Sequence, residues 1–198
     1  MSTVSHAKST HFAATVAHIS LVSRFIFRAA NNLGLRALNH DKSKLESPEV
    51  EVYEEHTPKL AGLTYGSHEY WAQLAQLKPA LDHHYKTNDH HPEFFPVSAD
   101  PELEAIERAY EDIKWYSSDT TKFVRPILAA DIASRKSPMR EMNLVQLLEM
   151  LCDWKAASMR HDNGDIRASI EINQNRFGYS DELKRILLNT LPVIEEKA

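Results

Sequence analysis

Apolar residues return at helical intervals along almost the whole chain, and this repetition constrains the fold more than any other feature of the sequence. From Thr10 to Asn32 the series Val16, Ile19, Val22, Ile26 and Ala29, with Phe25 and Phe27 adding bulk, predicts a long first helix that Gly34 stops. A short second helix is expected over Leu35–Leu45, and Ser47-Pro48-Glu49 reads as the cap and first turn of a third, which Pro58 ends. Ser67–Tyr85 is helical in pattern, with Pro79 either kinking it or opening a new turn, and the proline-containing stretch 87–99 reads as a loop. Asp100-Pro101-Glu102 opens a helix running to Tyr116. Another spans Thr120–Ser134 with an interruption near Pro126, and Met142–Arg160 is the most apolar of the set. Asn163-Gly164 is a turn, and two amphipathic helices, Asp165–Arg176 and Ser180–Leu191, follow. No stretch alternates with the period of a strand, and there is no internal repeat. The expected class is all-α.

At 198 residues, with no Pro/Gly/Ser-rich linker, the chain reads as a single helical domain over residues 1–198, with residues 1–8 as a disordered lead-in. A formal charge of -5 argues against bulk nucleic-acid binding, although Arg135, Lys136 and Arg140 form a local basic patch. The single Cys152 excludes an intramolecular disulfide. No apolar run is read as long enough for a signal-peptide core or a membrane span, so the expectation is a cytoplasmic protein without membrane contact.

Of 11 histidines, seven fall between His40 and His91. His6, His56, His68 and His161 read as simply exposed. Asn39-His40-Asp41-Lys42-Ser43-Lys44 places an imidazole beside a carboxylate, a pair that can share one divalent ion, with Lys44 positioned to hold a phosphate that the ion activates. His11 and His18 are seven residues apart, on one face of the first helix. His18, nearer the middle, is the candidate ligand and His11 its fallback, against a core histidine bonded to a neighbour. Asp153 shares a narrow polar stripe with Gln146 and Glu149 on the most apolar helix, where a buried carboxylate needs a cation or a strong donor. Its metal-free partners would be Arg160 or a histidine. In Asp82–Glu93, His84 continues the apolar face of Leu77 and Leu81 and should point inward, with His83 pointing elsewhere. The pairs His83-His84 and His90-His91 suit a second metal or an anionic substrate. A zinc finger is a poor fit, since cysteine partners are missing.

His18, His40-Asp41 and the distant Asp153 together resemble the H…HD…D signature of the HD-domain metal-dependent phosphohydrolase superfamily, an all-helical fold. His-Asp-x-Ser-Lys, extended by His83-His84 through Asn88 to His90-His91-Pro92, is similar to the branch with additional histidines and often two metals. The stretches Lys59–Ser67, His83–Phe94 and Glu149–Ala157 through Gly164-Asp165-Ile166 resemble a bacterial and phage family placed near that superfamily, which brings no activity of its own. The resemblance implies an HD-like helical bundle with His18, His40, Asp41 and Asp153 as ligands of one metal, and His84 with His90 or His91 completing a second site. It makes Asp41 and Lys44 the catalytic residues and Lys44, His83, Asn88 and His91 the substrate-binding ones. Tyr85 stands where the cyclic-dinucleotide phosphodiesterases of the superfamily carry Glu, and their Gly-Tyr-Pro element is absent, so that specificity does not transfer. Mixed His/Asp ligation suits one or two ions of Mn, Fe, Co, Ni or Zn better than Mg or Ca. The expected function is hydrolysis of a small phosphorylated metabolite, a nucleotide before others, through a metal-activated water. The alternatives are a di-iron oxygenase of the same fold and a non-catalytic metal- or nucleotide-binding protein.

Overall fold

The computed structural model describes residues 3–61, 63, 67–97, 100–115, 118–160 and 164–195, with the backbone alone at 3–9, 61 and 70. Every regular element among them is helical, as the periodicity requires. They divide into two compact units, Met1–His40 and Asp41–Ala198.

The first unit is one helix, α1 (Thr3–Asn39). Gly34 does not stop it. A glycine inside a helix costs only about 1 kcal/mol relative to alanine, and its neighbours Leu33, Leu35 and Arg36 are good helix formers. The helix also covers residues 3–8, expected as a lead-in, because no Gly or Pro interrupts them; residues 1 and 2 lie outside the described residues. Nor is α1 too short or too polar to cross a membrane. Within residues 10–45 an 18-residue window reaches a mean hydropathy of 1.2, so by length and composition alone it qualifies. Arg24 and Arg28 interrupt the apolar run without lowering that average enough. Phe12, Ile19, Phe25, Ile26 and Phe27 are all exposed on α1.

The second unit holds α2 (Glu49–Ala61), α3 (His68–Gln76), α4 (Lys78–Thr87), α5 (Pro101–Ile113), α6 (Asp119–Arg135), α7 (Leu144–Ser158), α8 (Ile166–Phe177) and α9 (Asp181–Ile194). Short 3-10 turns cover Lys42–Leu45, Pro92–Phe94 and Pro138–Glu141. Lys42–Leu45 is therefore a turn and not the end of a second helix. Most starts are set by side chains that accept otherwise unpaired backbone N–H groups. Asp100 accepts from Glu102 and Leu103, Ser118 from Thr121, Asp165 from Arg167 and Ser180 from Leu183. Asn143 and Gln146 form a reciprocal capping box at α7. Each such cap stabilises its helix by about 1 kcal/mol. Pro79 opens α4, the second of the two roles open to it. Pro58 and Pro126 lie inside α2 and α6, so Pro58 does not end its helix and α6 runs through Pro126 without the expected interruption; each proline forfeits one backbone bond and the helix continues. Asn163, Tyr116 and His161 lie outside the described residues.

The core gathers where α7, α8 and α9 meet. Met150, Leu151, Ile170 and Leu191 are fully buried there, with Met139, Met142, Ile166, Tyr179 and Leu187 around them. Tyr179 satisfies its buried hydroxyl by donating to the Ile170 carbonyl at 2.6 Å. Gly178 closes α8 with φ 68°, and a Cβ there would stand 2.9 Å from the Ala133 carbonyl oxygen, so only glycine fits. Trp154 stacks on Phe177 with ring planes 7° apart. These contacts fix one side of α7. Its polar stripe, Gln146, Glu149 and Asp153, is thereby held towards residues 89–91.

Candidate metal centre

Leu77, which caps α4, and Ala80 and His84 within it recur at three- and four-residue spacing and are all buried, which carries an imidazole into the interior on an otherwise apolar face. A buried imidazole needs partners, and the first is Glu49, the opening residue of α2, whose own side chain has no exposed surface. Its Oε2 lies 2.9 Å from His84 Nδ1 and its Oε1 lies 2.7 Å from His83 Nδ1. An ionised carboxylate can only accept, so both contacts are hydrogen bonds in the form that carries a proton on each Nδ1, the form in which Asn88 Nδ2, 3.0 Å from His84 Nδ1, donates elsewhere. In neutral His84 the lone pair is then on Nε2. That atom sits 3.2 Å from Asp41 Oδ1 and 2.9 Å from His91 Nε2.

Asp41 has a left-handed backbone, φ 56°, which short polar side chains tolerate better than most. The 3-10 turn that follows returns Lys44 towards it, and Lys44 Nζ donates to Asp41 Oδ2 at 2.5 Å while lying 5.8 Å from the Tyr53 ring centre. Asp41 Oδ1 meets His90 Nε2 at 3.4 Å as well as His84 Nε2. Burial pushes the Asp41 carboxyl up, but His84 and His90, in the form that carries a proton on Nε2, and Lys44 outweigh it and hold the group well below the usual carboxylate range.

His90 repeats the arrangement of His84. Its Nδ1 is turned to Glu149 Oε1, 3.4 Å away, and both residues are buried. The loop carrying it is fixed at several points. Gln146 Nε2 donates to Asp89 Oδ2 at 2.6 Å, and Asn88 Nδ2 donates to Ser43 Oγ at 2.8 Å and to the His84 carbonyl at 2.9 Å. Pro92 confines His91 to an extended backbone, φ -95° and ψ 132°, which turns its ring back onto His84 and His90. Burial, followed by the nearby His90 and His84 charges, pushes the His91 imidazole down to about 3, with Asp153 opposing.

Donor atoms of Asp41, His84, His90 and His91 thus lie within 4.8 Å of one another. Nitrogen and oxygen ligands held about 2.0–2.2 Å from one ion stand about 2.9–3.5 Å apart, and the separations of 2.9, 3.2 and 3.4 Å fall in that range. Two of the imidazoles present Nε2 because a buried glutamate occupies the far nitrogen. Carboxylate-backed histidines of this kind are usual behind metal ions.

Residues 7–196 match a family described as "Family of unknown function (DUF5662)". The chain belongs to that family. No curated protein and no solved structure matches it.

In this DUF5662 chain the candidates from the sequence divide. Asp41, His84, His90 and His91 converge, and Asp153 brings a carboxylate oxygen within 4.8 Å of Asp41 and acts electrostatically on His91 and on Tyr85, whose ring centre is 5.0 Å from that of His91. Lys44 pairs with Asp41. His83 is tied to Glu49, and the Asn88 amide braces Ser43 and His84. His11 and His18 are exposed on α1, and His40 is the last residue of the first unit, bonded directly to Asp41. His68 is exposed as expected, but His56 is largely covered and lies 2.6 Å from Gln73 Nε2. Glu49 is the residue that sequence reasoning missed. An acid in a first helical turn is what the helix dipole favours, so nothing local marked it as buried.

Proposed function

We propose that this protein is a metal-dependent hydrolase of a small phosphorylated metabolite, a nucleotide before others, with a divalent transition metal held by Asp41, His84, His90 and His91. The observation that carries this reading is the pairing of His84 and His90 with buried Glu49 and Glu149, which leaves two Nε2 atoms beside one Asp41 oxygen. Acceptors crowd together there in a way that a cation would relieve. Mixed imidazole and carboxylate donors fit Mn, Fe, Co, Ni or Zn. A divalent ion so bound lowers the pKa of water from about 15.7 towards about 7 and stabilises charge on phosphoryl oxygens.

The chain's own residues supply the rest. Lys44 gives one of its three N–H groups to Asp41 and, with a third of its side chain exposed, has the others to offer a phosphate. Asp153 and Tyr85 border His91, and an Asp153 oxygen also lies within 4.8 Å of an Asp41 oxygen. The resemblance to HD-domain phosphohydrolases supports the reaction class, and the convergence at Asp41 supports the location.

One competing reading fits the same distances: His84, doubly protonated, would bridge Glu49 and Asp41 without any metal. Elemental analysis of purified protein, followed by a screen of phosphorylated metabolites with added Mn, Co, Ni or Mg, separates the two. Bound transition metal with phosphate-ester hydrolysis is the expected result. Metal-free protein whose melting is unmoved by Mn or Zn establishes the imidazolium bridge instead. Iron near a two-to-one ratio, an electron-spin signal on partial reduction and no hydrolysis would establish the di-iron oxygenase.

A further inference from the structure

We infer that Glu49 is the positioning residue of this centre, a single buried carboxylate that fixes two adjacent imidazoles and keeps His84 Nε2 presented to the ligand cluster. Side chains of neighbouring residues on a helix diverge by about 100°, so one group reaches both only from between them and only by using both oxygens. Glu49 does so, at 2.7 Å to His83 Nδ1 and 2.9 Å to His84 Nδ1. With the Glu49 side chain fully enclosed, water has no access to replace either bond. The two bonds also lock the carboxylate's rotation: each imidazole holds the oxygen that the other does not use.

This gives His83 a part that differs from direct substrate binding. It is the outer arm of the clamp, partly exposed, and it holds Glu49 in register for His84. Without Glu49 the His84 ring can move its proton to Nε2, which removes the lone pair a metal needs. Ser43 Oγ, at 3.1 Å from His84 Nδ1, and Asn88 Nδ2, at 3.0 Å, can each donate to a bare Nδ1 and would favour that wrong tautomer.

The affinity arm of the test rests on the metal reading above; the tautomer arm does not. Nitrogen-15 NMR of the metal-free wild-type protein at pH 8 should show His83 and His84 both protonated at Nδ1. Either ring protonated at Nε2 alone overturns the clamp, whether or not the protein binds metal. In Glu49→Gln, which keeps the shape, an NH2 group replaces one of the two oxygens and cannot accept from the imidazole that faced it. The variant should retain its helical spectrum, shift His84 towards the Nε2–H form and bind Co or Zn roughly 10- to 100-fold more weakly in chelator competition. His83→Gln, at a partly exposed position, should weaken metal binding less and leave His84 mostly Nδ1-protonated. Wild-type protein that binds no metal but shows both Nδ1–H tautomers refutes the metal centre and leaves the clamp standing. Metal binding unchanged in Glu49→Gln, with an unaltered His84 tautomer, refutes the clamp and leaves the metal centre. Should Glu49→Gln not fold, the wild-type tautomers and His83→Gln still decide.

Discussion

Two clusters of charged and titratable side chains in the second unit look alike as lists of residues and differ in what they need. Around Asp41, three imidazoles and an aspartate converge, with two further carboxylates behind them. Around Asp100, the guanidinium of Arg135 touches Asp100, Glu102 and Asp131, and Arg140 reaches Asp100 as well. The second cluster is complete. Burial pushes the Asp100 carboxyl up, but Arg140 and Arg135 prevail and hold it down, and Arg135 is raised by the acids it touches. Cation faces anion at each contact, close to solvent. The first cluster sets imidazole nitrogens against one another and against the Asp41 carboxylate, with Lys44 as its one full cation among the described residues. Density of ionisable residues is therefore no sign of a site; the balance of donors and acceptors is. The basic patch that Arg135, Lys136 and Arg140 suggested in the sequence is neutralised in the same way, with Lys136 paired to Glu107.

The sharpest break between the clusters is metal. Asp41→Asn keeps a residue that tolerates the left-handed backbone, yet it should abolish stoichiometric metal binding and the stabilisation that metal confers. A ligand at 100 times its Kd contributes about 2.7 kcal/mol. Metal content by elemental analysis and melting with added Mn or Zn check this, and a variant that binds like wild type would remove Asp41 from the centre.

Acid should come next in size. His91 is held at about 3 in the fold, against about 6.5 in an unfolded chain, so between those values the unfolded state binds a proton that the native state does not. The contribution of His91 to stability is thus complete above about pH 6.5 and is lost as pH falls towards 3. Urea midpoints of metal-free protein at pH 7.5, 6 and 5 should fall for wild type and fall less for His91→Gln. Parallel declines would show that His91 does not titrate in this way.

Lys44→Ala tests the edge of the cluster. Losing a charge-assisted bond of about 1.5–3 kcal/mol to a phosphate should cut phosphate-ester hydrolysis roughly ten- to a hundredfold, with metal stoichiometry at saturating ion retained. If turnover is unchanged at both saturating and subsaturating substrate, Lys44 serves only Asp41.

The smallest effect is expected where the charges are already balanced. Arg135→Ala should lower the melting temperature slightly, and less in high salt, without altering metal content, because solvent screens its ion pairs. A loss of metal in this variant would mean that the two clusters are coupled.

Much of this architecture is written within a few residues of itself. Asp100, Asp165 and Ser180 mark helix starts because a cap bonds backbone two or three residues on. The inward turn of His84 follows from the apolar face of Leu77 and Leu81, with Ala80, one turn before it, buried there too, and the stripe of Gln146, Glu149 and Asp153 follows from helical spacing alone. Punctuation was less legible. Gly34 and Pro58 are breakers by propensity, but a penalty of this size at one position does not outweigh a helix that is favourable on both sides. What only the tertiary structure decided is pairing across the chain. Glu49 meets histidines 34 and 35 residues away, and Gln146 meets Asp89 across 57. Local sequence sets backbone conformation because caps and periodicity act over one or two turns; burial and the choice of partner arise only when separate helices pack.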